Sequence, residues 1–210
     1  MAGRPRSGGR AVTAAPADTR TPVHEIVLPR PLYTCVINHV VRKLTGYYLD
    51  GETRERKAFG IVAGCRSDDT FEVTAVFPLV VNLRRDSRYA AEMDEIVDQY
   101  AIPSTTANEQ RGWIAHPREL RDIEDACDRY AWSMFGSYHT HRVAWPSDPM
   151  RDTCTELDRV LATGSEQWMF IVSAVDLQRT VLRAFFEGDN DRETAIRVVP
   201  DPVNLDAKGL

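Results

Sequence analysis

From Leu32 onward, apolar residues recur at steps of three and four (Leu32, Val36, Ile37, Val40, Val41, Leu44, Tyr48), the spacing of a helix with one buried face. The pattern predicts a helix over residues 31–49. A polar stretch from Asp50 to Lys57 gives way to the apolar run AFGIVAG, and after SDDT the apolar side chains alternate at Phe71, Val73, Ala75 and Phe77. That predicts a β-hairpin over residues 58–80 with its turn at Ser67 to Thr70. Past Asn82 the periodicity loosens into a short amphipathic helix and a loop of Pro, Ser, Thr and Asn, an insertion of the kind that often carries function. Pro117 opens a helix that the pattern carries over residues 118–132, with Leu120, Ile123, Cys127 and Tyr130 on one face. SMFGSYHTH reads as a strand ending in two histidines. Pro146, Ser147, Asp148 and Pro149 read as a helix start, continued to a glycine stop at Gly164. WMFIVSAV, TVLRAFFEG and TAIRVVP then read as three strands with short turns between them.

The length of 210 residues, with 43% hydrophobic and 27% charged side chains, suits one globular domain. Residues 1–24 and 201–210 are poor in large apolar side chains and are expected to be tails, the first one disordered, around a domain at 25–200. No apolar run approaches the roughly 20 residues that span a bilayer, and the start of the chain lacks a secretory core. A cytoplasmic protein is expected, in keeping with four scattered cysteines (Cys35, Cys65, Cys127, Cys154) that form no CxxC pair. A net charge of -5 and dispersed arginines argue against nucleic-acid binding.

The chemistry gathers at His139-Thr140-His141. Side chains two apart on a strand share a face, so both imidazoles reach one ion, and a helix beginning just beyond can return a carboxylate, here Asp152. Two histidines and one carboxylate leave a tetrahedral position open for water, the composition of a catalytic rather than a structural Zn2+ site. Asp148 reads as a helix cap, Cys154 as packing, His39 and His116 as residues without a site role, and Trp145 as a neighbour of the metal.

Around this pair the chain resembles the JAMM metalloproteases, the MPN-plus or Mov34-type family, whose motif is an upstream glutamate, then HxH, seven residues, Ser, two residues and Asp. GSYHTH matches the family's strand, and His141 and Asp152 stand at its separation. AFGIVAG, PLVVN and WIAHPREL are similar to its other segments in the same order. The resemblance implies an α/β fold, a mixed curved β-sheet flanked by the helices at 31–49 and 118–132, in an MPN/JAMM-like, cytidine-deaminase-like layering.

Three positions depart from the motif. The family serine, which helps to hold the oxyanion, falls at Pro149, leaving Ser147 as its substitute; the proline after the second histidine is Arg142, suited to pairing with a substrate carboxylate. The family glutamate falls at Lys57, and Glu55, two residues away on the same face of an extended segment, is the candidate general base.

The function so implied is zinc-dependent hydrolysis of an amide or isopeptide bond, with the C-terminal tail of a ubiquitin-like sulfur-carrier protein as substrate. The alternatives are a non-catalytic MPN scaffold and a small-molecule amide hydrolase in a biosynthetic pathway. The HxH of TIM-barrel amidohydrolases belongs to a fold of about 250 residues and eight strand-helix units, which this pattern lacks.

Overall fold

The computed structural model describes residues 23–104 and 106–200. The two tails expected from composition lie almost entirely outside these residues. Among the described residues, seven strands form one sheet: β1 (Glu25–Pro29), β2 (Phe59–Ser67), β3 (Thr70–Pro78), β4 (Ser133–His141), β5 (Trp168–Ser173), β6 (Val181–Phe186) and β7 (Glu193–Val199). Four α-helices accompany them: α1 (Arg30–Thr45), α2 (Ser87–Tyr100), α3 (Pro117–Tyr130) and α4 (Glu156–Ala162).

The sheet does not stay open. Its order is β1-β3-β2-β4-β5-β6-β7, and β1 pairs in parallel with both β3 and β7, which closes a mixed barrel. This overturns the expected curved sheet flanked by helices in an MPN-like layering. The physical reason is a five-residue strand, EIVLP, that buries Ile26 and Leu28 and joins the two edges an open sheet would have left unpaired.

Strand alternation sorts the side chains into inner and outer sets. Ala58 just before β2, Val62 of β2 and Trp168, Phe170 and Val172 of β5 join Tyr138, Phe71 and the α1 residues Val36 and Val40 in the main core. The alternate residues of β2, Phe59, Ile61 and Ala63, pack with Ile123 and Cys127 of α3. Those of β5, Met169 and Ile171, pack with Cys154, Phe185 and Ala162 of α4. His139 stands between Phe59 on β2 and Ile171 on β5, so it belongs to the outer set, between the α3 and α4 clusters. Gly136 in the same strand has no room for a side chain: a Cβ there would sit 2.3 Å from the Trp168 carbonyl oxygen.

The hairpin turn lies between Ser67 and Thr70 as the alternation predicts. The helix at 31–49 ends at Thr45, because Gly46 takes up a left-handed conformation (φ 88°) and its N–H returns to the carbonyls of Arg42 and Lys43. The helix start read at Pro146–Pro149 is absent. Trp145 and Asp148 form a two-way backbone bridge instead, and the α4 cap is Thr155.

On the other face of β4 from His139, Tyr138 is fully buried and its hydroxyl lies 2.7 Å from Nδ1 of His39 on α1. His39 is therefore structural. Burial, helped by the charge of Arg42, lowers its pKa to about 4, against the opposing pull of Glu52. Between that value and about 6.5 the unfolded chain binds the extra proton and the folded one does not. Stability held above pH 6.5 is thus lost as pH falls toward 4, by about 3 kcal/mol at most from this group. The His39→Gln protein is expected to show a flatter melting temperature against pH between 7 and 4.5; a slope equal to that of the unaltered protein would count against the assignment.

Candidate metal centre

His139 and His141 emerge from the last residues of β4 on one face, as their spacing predicts. Their Nε2 atoms are 3.1 Å apart. The carboxylate that meets them is Asp158: its Oδ1 is 3.3 Å from Nε2 of His139 and its Oδ2 is 3.3 Å from Nε2 of His141. All three residues are 8–9% exposed. Among the described residues this is the one group of three or more His, Cys, Asp or Glu whose ligand atoms converge closely enough for a metal.

The donor set fits a tetrahedral ion. Ligands at 2.0–2.1 Å from such an ion stand about 3.3–3.5 Å from one another, close to the separations found here. Three lone-pair atoms held this near each other inside a protein repel unless a cation or proton is shared among them. The histidine tautomer is also arranged for it: Nδ1 of His141 faces the carbonyl oxygen of Arg151 at 3.2 Å, and as the donor there it leaves Nε2 free to ligate.

Asp158 is held from behind. The Thr155 backbone N–H donates to Oδ2 at 2.7 Å, the Thr155 hydroxyl donates to the same oxygen at 2.8 Å, and Thr155 Oγ1 accepts from the Asp158 N–H at 3.3 Å. This is a capping box, so the start of α4 and the orientation of the ligand are one piece of structure. Burial pushes the Asp158 carboxyl pKa up, and the charge and hydrogen bonds of His139 and His141 outweigh that, holding it well below the usual carboxylate range. Burial lowers the pKa of His141, and Asp158 opposes the fall.

The sequence-derived residues divide accordingly. Asp152 does not join the histidines; it pairs with Arg183 at 3.2 Å. Ser147 is exposed at the tip of the Trp145–Asp148 bridge and does not line the cavity beside the histidines. Glu55 is also outside that cavity, accepting from the Asn82 side chain at 2.7 Å and pairing with Lys57 at 3.5 Å. Lys57 itself does line it, with its ammonium donating to the Gly112 carbonyl at 2.9 Å. Asp148 accepts from the Arg151 N–H at 2.8 Å and caps no helix, whereas His116 caps α3. Cys154 is buried and part of the α4 packing, as expected.

The misplaced carboxylate had a readable signal. Thr155-x-x-Asp158 repeats the Ser-x-x-Asp spacing of the JAMM motif six residues further along, and is also a helix-start signature. The Ser-Asp-Pro of residues 147–149 imitates the same signature one loop too early.

The cavity into which the triad opens has a volume of about 400 Å³. Trp145, Trp113, Phe59 and Thr155 contribute to its wall. Five of its lining side chains are basic (Arg56, Lys57, Arg111, Arg142, Arg151), and Asp158 is the sole carboxylate among them. No helix among the described residues is long and apolar enough to cross a membrane.

No protein-family model and no curated protein matches the chain. Among solved structures it is similar to the solution structure of protein DSY2949 from Desulfitobacterium hafniense, at 20% identity and a TM-score of 0.55, over 84% of this chain and 94% of that one. At that identity the likeness concerns the fold alone.

Proposed function

We propose that the protein is a zinc-dependent hydrolase of an amide or isopeptide bond, of the JAMM type that the sequence resembles. The observation that carries the reading is the convergence of His139, His141 and Asp158 at the wall of an open cavity, with a donor set that leaves one tetrahedral position free. It rests on this triad and not on the layering, which the closed barrel replaces. Zinc bound there would supply Lewis acidity, polarising a carbonyl and acidifying water.

The chain's own part is positioning. The Arg151 carbonyl sets the His141 tautomer, the capping box fixes the Asp158 carboxylate, and Thr155 brings a hydroxyl to the cavity wall. Phe59, Trp113 and Trp145 line the cavity, and apolar surroundings of this kind strengthen the charge interactions beside them. The substrate would enter as the C-terminal tail of a ubiquitin-like or sulfur-carrier protein, or as a small amide. A cytoplasmic setting accords with this reading, in which Cys127 and Cys154 are buried free thiols.

One observation favours a second reading. With Glu55 turned toward Asn82, no carboxylate but Asp158 lines the cavity, and the protein would then be a non-catalytic metal-binding module. Metal analysis of the purified protein, joined to an assay on a carrier protein whose C-terminus is amide-linked to an amine, separates the two. We expect one zinc per chain, with cleavage that stops on chelation and returns with zinc. Zinc without cleavage selects the binding module, and no zinc at all defeats both.

A further inference from the structure

The cationic lining of the cavity is not explained by the metal, which would itself be repelled by neighbouring positive charge. It is also at odds with a chain of net charge -5. One of these cations is built in. Arg151 is 6% exposed, its guanidinium carbon lies 3.5 Å from the centroid of the Trp145 ring, and its backbone takes up a left-handed conformation (φ 51°) with its N–H donating to the Asp148 side chain. Its ion pair with Asp148 is long, at 3.3 Å, and its Nε finds no acceptor among the described residues. Burial works against its charge. A guanidinium sequestered at this cost, stacked in place and short of acceptors, is the arrangement that receives a planar anion. Lys57 adds a second cation to the same cavity, its ammonium shared with the Gly112 carbonyl and Glu55.

We infer that Arg151, with Lys57, forms a carboxylate-binding subsite beside the metal triad, so that the ligand of this cavity is an amide carrying a free carboxylate close to the bond presented to the triad. The inference deepens the proposed hydrolase reading by naming its substrate class, and the subsite itself stands on the protein alone. A buried salt link of this kind contributes about 1.5–3 kcal/mol, or roughly tenfold to a hundredfold in affinity. Arg142, exposed at the end of β4, lacks the stacking and burial that would hold it in register.

The test uses N-acetylglycine and its neutral counterpart N-acetylglycinamide as probes of the full chain, titrated by NMR or calorimetry with zinc loaded and after chelation. N-acetylglycine is expected to bind at least about tenfold more tightly in both states, with the preference falling below about threefold in Arg151→Gln and recovering in part in Arg151→Lys. Equal binding of the two probes, or a preference that survives Arg151→Gln, overturns the subsite. A preference seen only with zinc and indifferent to Arg151 assigns the carboxylate to the metal and overturns it as well. Should Arg151→Gln fail to fold, Trp145→Leu removes the platform beneath the guanidinium and is expected to lose the preference; its retention is contrary evidence. Zinc content is measured separately, so a protein that binds no zinc but keeps the Arg151-dependent preference defeats the hydrolase reading and leaves this one intact.

Discussion

The Asp158→Asn protein is expected to lose zinc, with affinity reduced by about 100-fold or more, while Asp152→Asn keeps it. Changes to groups that merely support a ligand already cost about 10- to 100-fold, so removing a charged ligand sets that range as a floor. The amide preserves the shape of the side chain and an acceptor oxygen for the Thr155 N–H, and loss of part of the cap costs about 1 kcal/mol, leaving a folded protein to measure. Asp152 faces Arg183, so its neutralisation breaks a partly exposed ion pair and touches no histidine. Competition against a chromophoric chelator reads both proteins directly. The reverse result, zinc retained in Asp158→Asn and lost in Asp152→Asn, would return the ligand to the position that the JAMM spacing implies.

The second large effect lies away from the site. Glu52 is 7% exposed and accepts from Arg42 at 2.5 and 2.8 Å and from the Leu49 N–H at 2.8 Å. Its Oε1 also stands 3.7 Å from the ammonium of Lys43, a residue 1% exposed. Burial pushes the Glu52 pKa up, but the hydrogen bonds to Arg42 and Leu49 and the charges of Lys43 and Arg42 hold it well below the usual carboxylate range. Glu52→Ala leaves a buried lysine with only the Thr53 carbonyl and the face of the Tyr48 ring, 5.3 Å away, to offset its charge, and breaking such a group costs about 3–5 kcal/mol. Denaturant unfolding measures it. Adding Lys43→Met should recover much of the loss by removing the stranded charge, and a double variant no more stable than the single one would refute this account.

What the sequence disclosed was what local pattern controls. Alternation through Phe71 and Val73 and the SDDT turn fix the β2–β3 hairpin within the chain segment itself, although a register shift opposite Ala63 and Gly64 then turns Phe77 to the α3 face and Val76 to the main core; Pro117 marks the start of α3. The two histidines share a face because a strand repeats every two residues, whatever the strand pairs with. Closure of the barrel had no such local mark. β1 is five residues long, runs straight into a helix through Pro29, and finds its partners about 45 and 170 positions away, at Thr70 and Ala195. The carboxylate that meets the histidines was hidden for a different reason: Ser147, Asp148 and Pro149 carry the chemistry of a helix start but settle into a bridge with Trp145, and the helix waits for Thr155. The same six-residue delay sets Arg151 over Trp145 at the cavity wall, where no family position anticipates it.

If zinc binds the triad as proposed, the capping box at Thr155 would make the concentration of free zinc a thermodynamic variable of the fold. The carboxylate that closes the first turn of α4 is the same one that would meet the ion, and α4 packs through Ala162 against Met169, Ile171 and Phe185. Whatever holds Asp158 in place therefore holds that corner of the barrel. By mass action an ion present at 100 times its dissociation constant stabilises the folded chain by about 2.7 kcal/mol. In zinc-starved surroundings that increment would be lost, and its loss would be felt first at this corner, where Asp158 and α4 are one piece of structure.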